Sequence, residues 1–193
     1  MKAYDHKDKL MFQAHREGYR ARSVYKLKQL DEEFELFQSG MRVLDLAAAP
    51  GSWLQYAAQK TGPTGKVVGI DLKEIAPIPN VHTQVADIND SEKMKHILSN
   101  DRFDIVLSDI APNTTGIPGV DHAKSVELNR QILQIARKAL DYNGNLVMKV
   151  FDGPEVGPFL REIRESFRYT RVTKVDASRE RSKEVYIICF RKI

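Results

Sequence analysis

Val43-Leu44-Asp45-Leu46-Ala47-Ala48-Ala49-Pro50-Gly51-Ser52-Trp53 passes from a continuous apolar strand, through a tight turn of small residues, into the start of a helix. In an open α/β sheet a ligand binds beyond the carboxyl ends of the strands, and small residues let the backbone approach it closely. This turn is therefore the expected ligand site. Outward from it, short β-rich runs at 42–46, 66–71, 81–85, 103–108 and 145–150 alternate with helical stretches at about 52–60, 91–99, 122–140 and 155–167. Continuous apolar strands separated by helices predict a parallel sheet covered on both faces. Two further β-rich runs, 169–176 and 184–190, have no helix between them and are too close for a crossover, so they should pair antiparallel. The fold class expected is α/β, a Rossmann-like arrangement of seven mostly parallel strands with one antiparallel strand.

Acids follow the strands. Asp71 closes the second strand, Asp87 follows the third and Asp109 follows the fourth. Asp71 lies 20 residues after Gly51, where an acid can accept hydrogen bonds from both hydroxyls of an adenosine ribose. One such acid could simply cap a strand, but three on one rim point to a ligand. The turn lacks Gly-x-Gly-x-x-Gly, which disfavours a dinucleotide whose pyrophosphate packs on the loop. An adenosine cofactor without phosphates fits better.

The chain has 193 residues, suited to one domain spanning 1–193, with a basic N-terminal arm and helix at about 1–38. No apolar run approaches the ~18 residues needed to span a bilayer, and the charged start has no apolar stretch behind it. A cytoplasmic protein with no membrane partner is expected. The single cysteine, Cys189, excludes an internal disulfide and a cysteine-rich zinc site, and no metal is expected. Net charge is +4, but residues 1–28 hold eight Lys/Arg against three acids, 8 − 3 = +5, so the other residues sum to −1. Tyr4, Phe12, Tyr19 and Tyr25 interleave with these cations, a mixture suited to phosphate contact and base stacking, whereas a solvated basic terminus is the plainer reading of charge alone. Helix 23–37 follows, with Ser23 as its N-cap.

Several blocks together resemble the FtsJ/RrmJ family of RNA 2′-O-ribose methyltransferases: Tyr25-Lys26-Leu27, the cofactor turn, Leu107-Ser108-Asp109-Ile110-Ala111-Pro112-Asn113, Val147-Met148-Lys149-Val150-Phe151 and Ser178-Arg179-Glu180-Arg181-Ser182-Lys183-Glu184-Val185-Tyr186. The resemblance implies S-adenosyl-L-methionine as cofactor. Gly51 and Trp53 would lie in its loop, Asp71 at the ribose, Asp87 at the adenine end and Asp109 at the methionine end. It also implies a Lys26, Asp109, Lys149, Glu184 catalytic tetrad. The substrate implied is a uridine of large-subunit ribosomal RNA, free or in the assembled subunit, with no DNA. Ala47 and Ser52 stand where many members have glycine, and both are small enough to leave the cofactor expectation intact.

Methyl transfer to a hydroxyl is an in-line displacement that requires alignment and loss of the hydroxyl proton. Lys149, in an otherwise apolar strand where an unpaired cation would be costly, is the candidate base. A free lysine has a pKa of about 10.4, so burial or a neighbouring cation such as Lys26 must activate it, while Asp109 and Glu184 would orient the ammonium groups and oppose activation. The sequence leaves that balance open. Other readings are the same chemistry on tRNA or an mRNA cap, an inert RNA-binding assembly factor, and a small-molecule methyltransferase. An ammonium on an inner strand disfavours the second, and the basic aromatic arm disfavours the third.

Overall fold

A computed structural model describes residues 6–99, 101–177 and 183–193. Residues 1–5 of the basic arm, and Ser178 to Ser182 of the last resemblance block, lie outside the described residues. The element order is α1 (His6–Arg16), α2 (Val24–Phe34), β1 (Arg42–Leu46), α3 (Ser52–Thr61), β2 (Lys66–Asp71), β3 (Val81–Val85), α4 (Ser91–Leu98), β4 (Phe103–Ser108), α5 (Pro118–Ala139), β5 (Leu140–Phe151), α6 (Val156–Arg164), β6 (Phe167–Thr173) and β7 (Glu184–Lys192). The seven strands form one sheet in the order β3-β2-β1-β4-β5-β7-β6. β7 is antiparallel to both β5 and β6, and every other pairing is parallel. This is the Rossmann-like methyltransferase arrangement expected from the sequence.

Alternation along the strands divides the core in two. Leu44 and Leu46 of β1 join Met94, Ile132, Leu133, Phe159 and Ile163 from α4, α5 and α6 on one face. Val43 joins Leu27, Leu30, Trp53 and Leu54 from α2 and α3 on the other. Each fully buried leucine contributes about 2 kcal/mol, so the two layers fix the sheet between them.

Element ends depart from the sequence reading for local reasons. α2 stops at Phe34 because Glu35 adopts φ +50°, which turns Leu36 and Phe37 back into the core. Ser23 does not cap α2 with its side chain; its hydroxyl meets Ser52 Oγ at 2.9 Å. α5 begins at Pro118 rather than 122, since proline at the first helical position has no backbone N–H to leave unpaired. α6 is also shorter than expected, ending at Arg164, and β6 follows at Phe167. β5 starts early, at Leu140, across a register shift opposite Phe103 and Ile105.

Part of the basic arm is built into the fold. Residues 6–16 form α1, Tyr19 is buried, and Arg20 is tied into the molecule. Its guanidinium donates to the carbonyls of Pro50 at 3.1 Å, Ala76 at 2.7 Å and Pro77 at 2.8 Å. Arg20 thus staples the turn after β1 to the loop after β2.

Candidate active site

Two cavities open at the carboxyl ends of the strands. The first, about 590 Å³, is walled by Asp71, Leu72, Asp87, Ile88, Ile110 and Asn113, among others. That volume and the mix of apolar walls with a few carboxylates suit a small organic ligand. The second, about 710 Å³, is lined by Arg22, Lys26, His122, Phe151, Lys183 and Glu184, among others. Ala111 and Pro112 border both and form the partition between them.

The turn after β1 is shaped by its backbone. Ala47 holds φ +62°, a region where glycine is preferred, which accounts for glycine being usual at that position in the resembling family. Gly51 has φ +102°, and a Cβ there would come within 2.9 Å of Ile78 and 3.1 Å of both Ile75 and Arg20. Only glycine satisfies both conditions. Asp71 fastens the turn, accepting from Ala49 N at 2.9 Å through Oδ2 and from Lys73 N at 2.8 Å through Oδ1. Asp87 accepts from the backbone and side-chain nitrogens of Asn89, both at 2.9 Å.

Gly51 and Trp53 do not line the first cavity. Trp53 is 3% exposed, its indole N–H donates to Ser23 O at 2.8 Å, and its ring lies 6.3 Å from that of Tyr186. It anchors α3 to the start of α2 and supports the site from behind.

Beneath the turn, Asp45 is 2% exposed and its Oδ2 has no hydrogen-bond partner among the described residues. Burial, followed by the like charges of Asp109 and Asp71, raises its carboxyl well above the usual carboxylate range. Asp71 and Asp109 are the carboxylates that make this end of the sheet receptive to a cationic ligand, and their charge favours the protonated form of the buried Asp45.

At the partition, the four residues expected to act together do converge. Lys149 Nζ donates to Asp109 O at 2.7 Å and lies 3.1 Å from Asp109 Oδ1 and 3.8 Å from Glu184 Oε1. Lys26 Nζ is 2.8 Å from Glu184 Oε2 and 3.8 Å from Asp109 Oδ1. Sheet pairing explains this: Lys149 is opposite Tyr186 in the β5–β7 register, and Phe151 is opposite Glu184. Lys26 reaches the cluster from α2. Two ammonium and two carboxylate groups compensate one another in a site where an isolated charge would be costly.

Tyr186 is a fifth member that sequence reasoning left without a role. It is fully buried and donates to Asp109 Oδ1 at 2.7 Å. Burial, then the charge and hydrogen bond of Asp109, then Glu184, push its hydroxyl well above the usual phenol range. It remains a donor at any working pH. The signal was strand periodicity, since 184 and 186 share a face of β7.

A second missed group lies on α5. The β4–β5 pairing ends at Ser108 and Met148, so the backbone of β5 beyond it needs other partners. Asn129 Nδ2 donates to Lys149 O at 2.8 Å, Ser125 Oγ accepts from Phe151 N at 3.0 Å, and His122 Nδ1 lies 2.8 Å from Phe151 O. His122 Nε2 accepts from Glu155 N at 3.0 Å, so Nδ1 must carry the proton in this arrangement. A Cβ at Gly153 would come within 2.7 Å of the His122 ring, so this loop too requires glycine. Polar residues at i, i+3 and i+7 on an otherwise apolar helix stripe were the available signal.

Fold and site together define a Rossmann-like, S-adenosylmethionine-dependent methyltransferase. The chain belongs to the FtsJ-like methyltransferase family, which it matches over residues 19–192. It is similar to the ribosomal RNA large subunit methyltransferase E of Methanothrix thermoacetophila, 43% identical over 188 residues, covering 96% of this chain and 73% of that protein. To the enzyme of the same name in Syntrophobacter fumaroxidans it is 42% identical over 193 residues, covering 98% of each chain. Among solved structures, a Plasmodium falciparum protein described as a ribosomal RNA methyltransferase matches with a TM-score of 0.81 at 29% identity, covering 90% of this chain and 98% of that one.

Proposed function

We propose that this chain methylates the 2′-hydroxyl of a uridine ribose in large-subunit ribosomal RNA, acting as a single domain in the cytoplasm. The relatives named above support the substrate, and among the described residues no helix is long and apolar enough to cross a membrane. The observation that carries the reading is that Lys26, Asp109, Lys149 and Glu184 meet beside the partition shared by two cavities, the arrangement that transfer between two separately bound molecules requires.

S-adenosylmethionine supplies an electrophilic methyl group. The first cavity fits it: Asp71 stands in its wall where the ribose hydroxyls would be held and Asp87 where the adenine end would lie, and Asp109, next to the wall residue Ile110, would face the cationic methionine end. Gly51 and Trp53 act by shaping and backing the loop. Asp109 Oδ1 already takes Tyr186 and Lys149, whereas Oδ2 has no protein partner among the described residues and is available to a cationic group. On the other side of the partition, Arg22, Lys26 and Lys183 supply positive charge for the RNA backbone. Lys149, once its ammonium group has given a proton to solvent, accepts the hydroxyl proton as the new carbon–oxygen bond forms, and Asp109 and Glu184 hold its Nζ in place. Most of the acceleration then comes from alignment and proton removal.

The test is to map 2′-O-methyl positions in large-subunit ribosomal RNA from cells with and without the gene, then to restore the missing mark with purified enzyme on free RNA or on isolated subunits. A single lost uridine mark, restored by the enzyme, is expected. An unchanged methylation map would refute the substrate assignment.

A further inference from the structure

The edge of the sheet carries a hollow that the catalytic reading does not use. It is about 420 Å³ and is lined by Phe34, Tyr169, Arg171, Phe190 and Arg191. β6 is the terminal strand of the sheet, with β7 on one side only. Tyr169 is paired with Phe190 in the β6–β7 register, and the residue is 53% exposed. The Phe34 and Phe190 rings lie 6.1 Å apart at 53°, and the Arg191 guanidinium stands 5.9 Å from the Tyr169 ring centre. Among the described residues, neither Arg171 nor Arg191 is in an ion pair, while Glu32 and Glu35 face a separate hollow with Lys60.

Tyr169 is the exposed ring of the hollow, with Phe34 and Phe190 half-buried beside it, and an exposed ring flanked by guanidinium groups in no ion pair is what single-stranded RNA uses: a base stacks on the ring and phosphates meet the cations. The hollow is also connected to the active site by two elements. α2 carries Lys26 in the catalytic cluster and Phe34 in the hollow, about 12 Å further along the helix. β7 carries Glu184 in the cluster and Phe190 in the hollow, about 20 Å further along the strand.

Building on the ribosomal RNA reading above, we infer that the Phe34–Tyr169–Arg171–Phe190–Arg191 hollow is a second RNA-binding site, which stacks an unpaired nucleotide of the substrate outside the target ribose. Its role is to hold the RNA and not to perform chemistry. The chemistry of the surface favours RNA over a second protein copy, since Arg171 and Arg191 would be left without counter-charges in a contact between two identical basic faces.

The experiment uses the full chain with S-adenosylmethionine and large-subunit ribosomal RNA, comparing wild type with Tyr169→Phe and with the double variant Tyr169→Ala, Arg171→Ala. Tyr169 and Arg171 are exposed, so folding is not at stake. The double variant should raise KM for RNA about ten-fold or more with kcat unchanged, as expected from losing a stacked base and a phosphate contact. The salt dependence of RNA binding should become shallower by about one unit of slope. Ultraviolet crosslinking should join wild-type β6 to RNA and lose that crosslink in the double variant, while Tyr169→Phe keeps both the crosslink and KM. Unchanged KM with no crosslink at β6 would overturn the inference. So would a change in sedimentation without a change in RNA binding, which would make the face a contact between copies. Should wild type crosslink through β6 yet fail to methylate this RNA, the substrate assignment fails and the hollow stands.

Discussion

The Tyr186 hydroxyl donates a 2.7 Å hydrogen bond to Asp109 Oδ1, the same oxygen that faces Lys149 at 3.1 Å and Lys26 at 3.8 Å. One carboxylate oxygen therefore collects a neutral donor and two cations. Because burial holds Tyr186 far above the usual phenol pKa, its contribution is constant with pH. Tyr186→Phe removes a hydrogen bond to a charged group from a buried site and should lower kcat about ten-fold or more, with little change in RNA KM. Single-turnover kinetics at saturating RNA checks this, and a wild-type rate would show that Lys149 and Lys26 alone fix Asp109.

Arg20 belongs to the cofactor loop despite its place in a basic arm. Three carbonyls, from Pro50, Ala76 and Pro77, accept from its guanidinium, and Gly51 packs against it. Arg20→Ala should weaken S-adenosylmethionine binding several-fold, in line with about 1 kcal/mol for loosening a loop held by such bonds. A chain lacking residues 1–17 should keep its cofactor affinity and lose RNA affinity most at low salt. Isothermal calorimetry with the cofactor, and RNA titrations across a salt series, separate the two halves of the arm.

These cases show what the sequence could and could not disclose. The sheet, its antiparallel β7 and the rim of acids followed from apolar periodicity and strand-end position, which are local properties. Lys149 stood out because four apolar residues flank a cation in a strand. Its grouping with Lys26 and Glu184 came from the family resemblance, because α2, β5 and β7 meet only after the chain has folded. Lys26 and Glu184 are 158 positions apart. Charge counting could not place Arg20, since composition does not distinguish a guanidinium bound to carbonyls from one facing solvent. Asn129 and His122 were missed because their partners are backbone atoms of β5, exposed only where β4 parts from it.

Asp45 should impose a pH-dependent cost on stability. Its folded pKa is raised by burial and by Asp109 and Asp71, so its favourable contribution is complete below the unfolded value, near 3.9, and is lost as pH rises through the raised folded value. Asp45→Asn, which keeps the shape and cannot ionise, should therefore raise the Tm of the cofactor-free chain at pH 7, and the gain should shrink as pH approaches 4. Thermal unfolding at several pH values reads this directly. An equal shift at every pH would mean that the carboxyl does not change protonation over that range.

Lys149 is the residue on which the proposed chemistry turns. Its Nζ is held by Asp109 O and Oδ1, with Glu184 Oε1 3.8 Å away, which positions it without occupying all of its bonding capacity. Lys149→Ala should lower the rate by about 10² to 10⁴, the usual effect of removing a general base, while calorimetry shows S-adenosylmethionine still bound. Alanine also removes a cation from between two carboxylates, so it mixes lost chemistry with altered charge. Lys149→Arg separates the two effects: the guanidinium keeps the positive charge but does not give up its proton in proteins. If Lys149 accepts the hydroxyl proton, the arginine variant should be as slow as the alanine variant, and the rise of the wild-type rate with pH through one ionisation should be absent from both. If its role is only to place positive charge beside Asp109, arginine should recover most of the rate and keep the pH profile, and proton removal would then pass to solvent after the methyl group has been aligned and transferred.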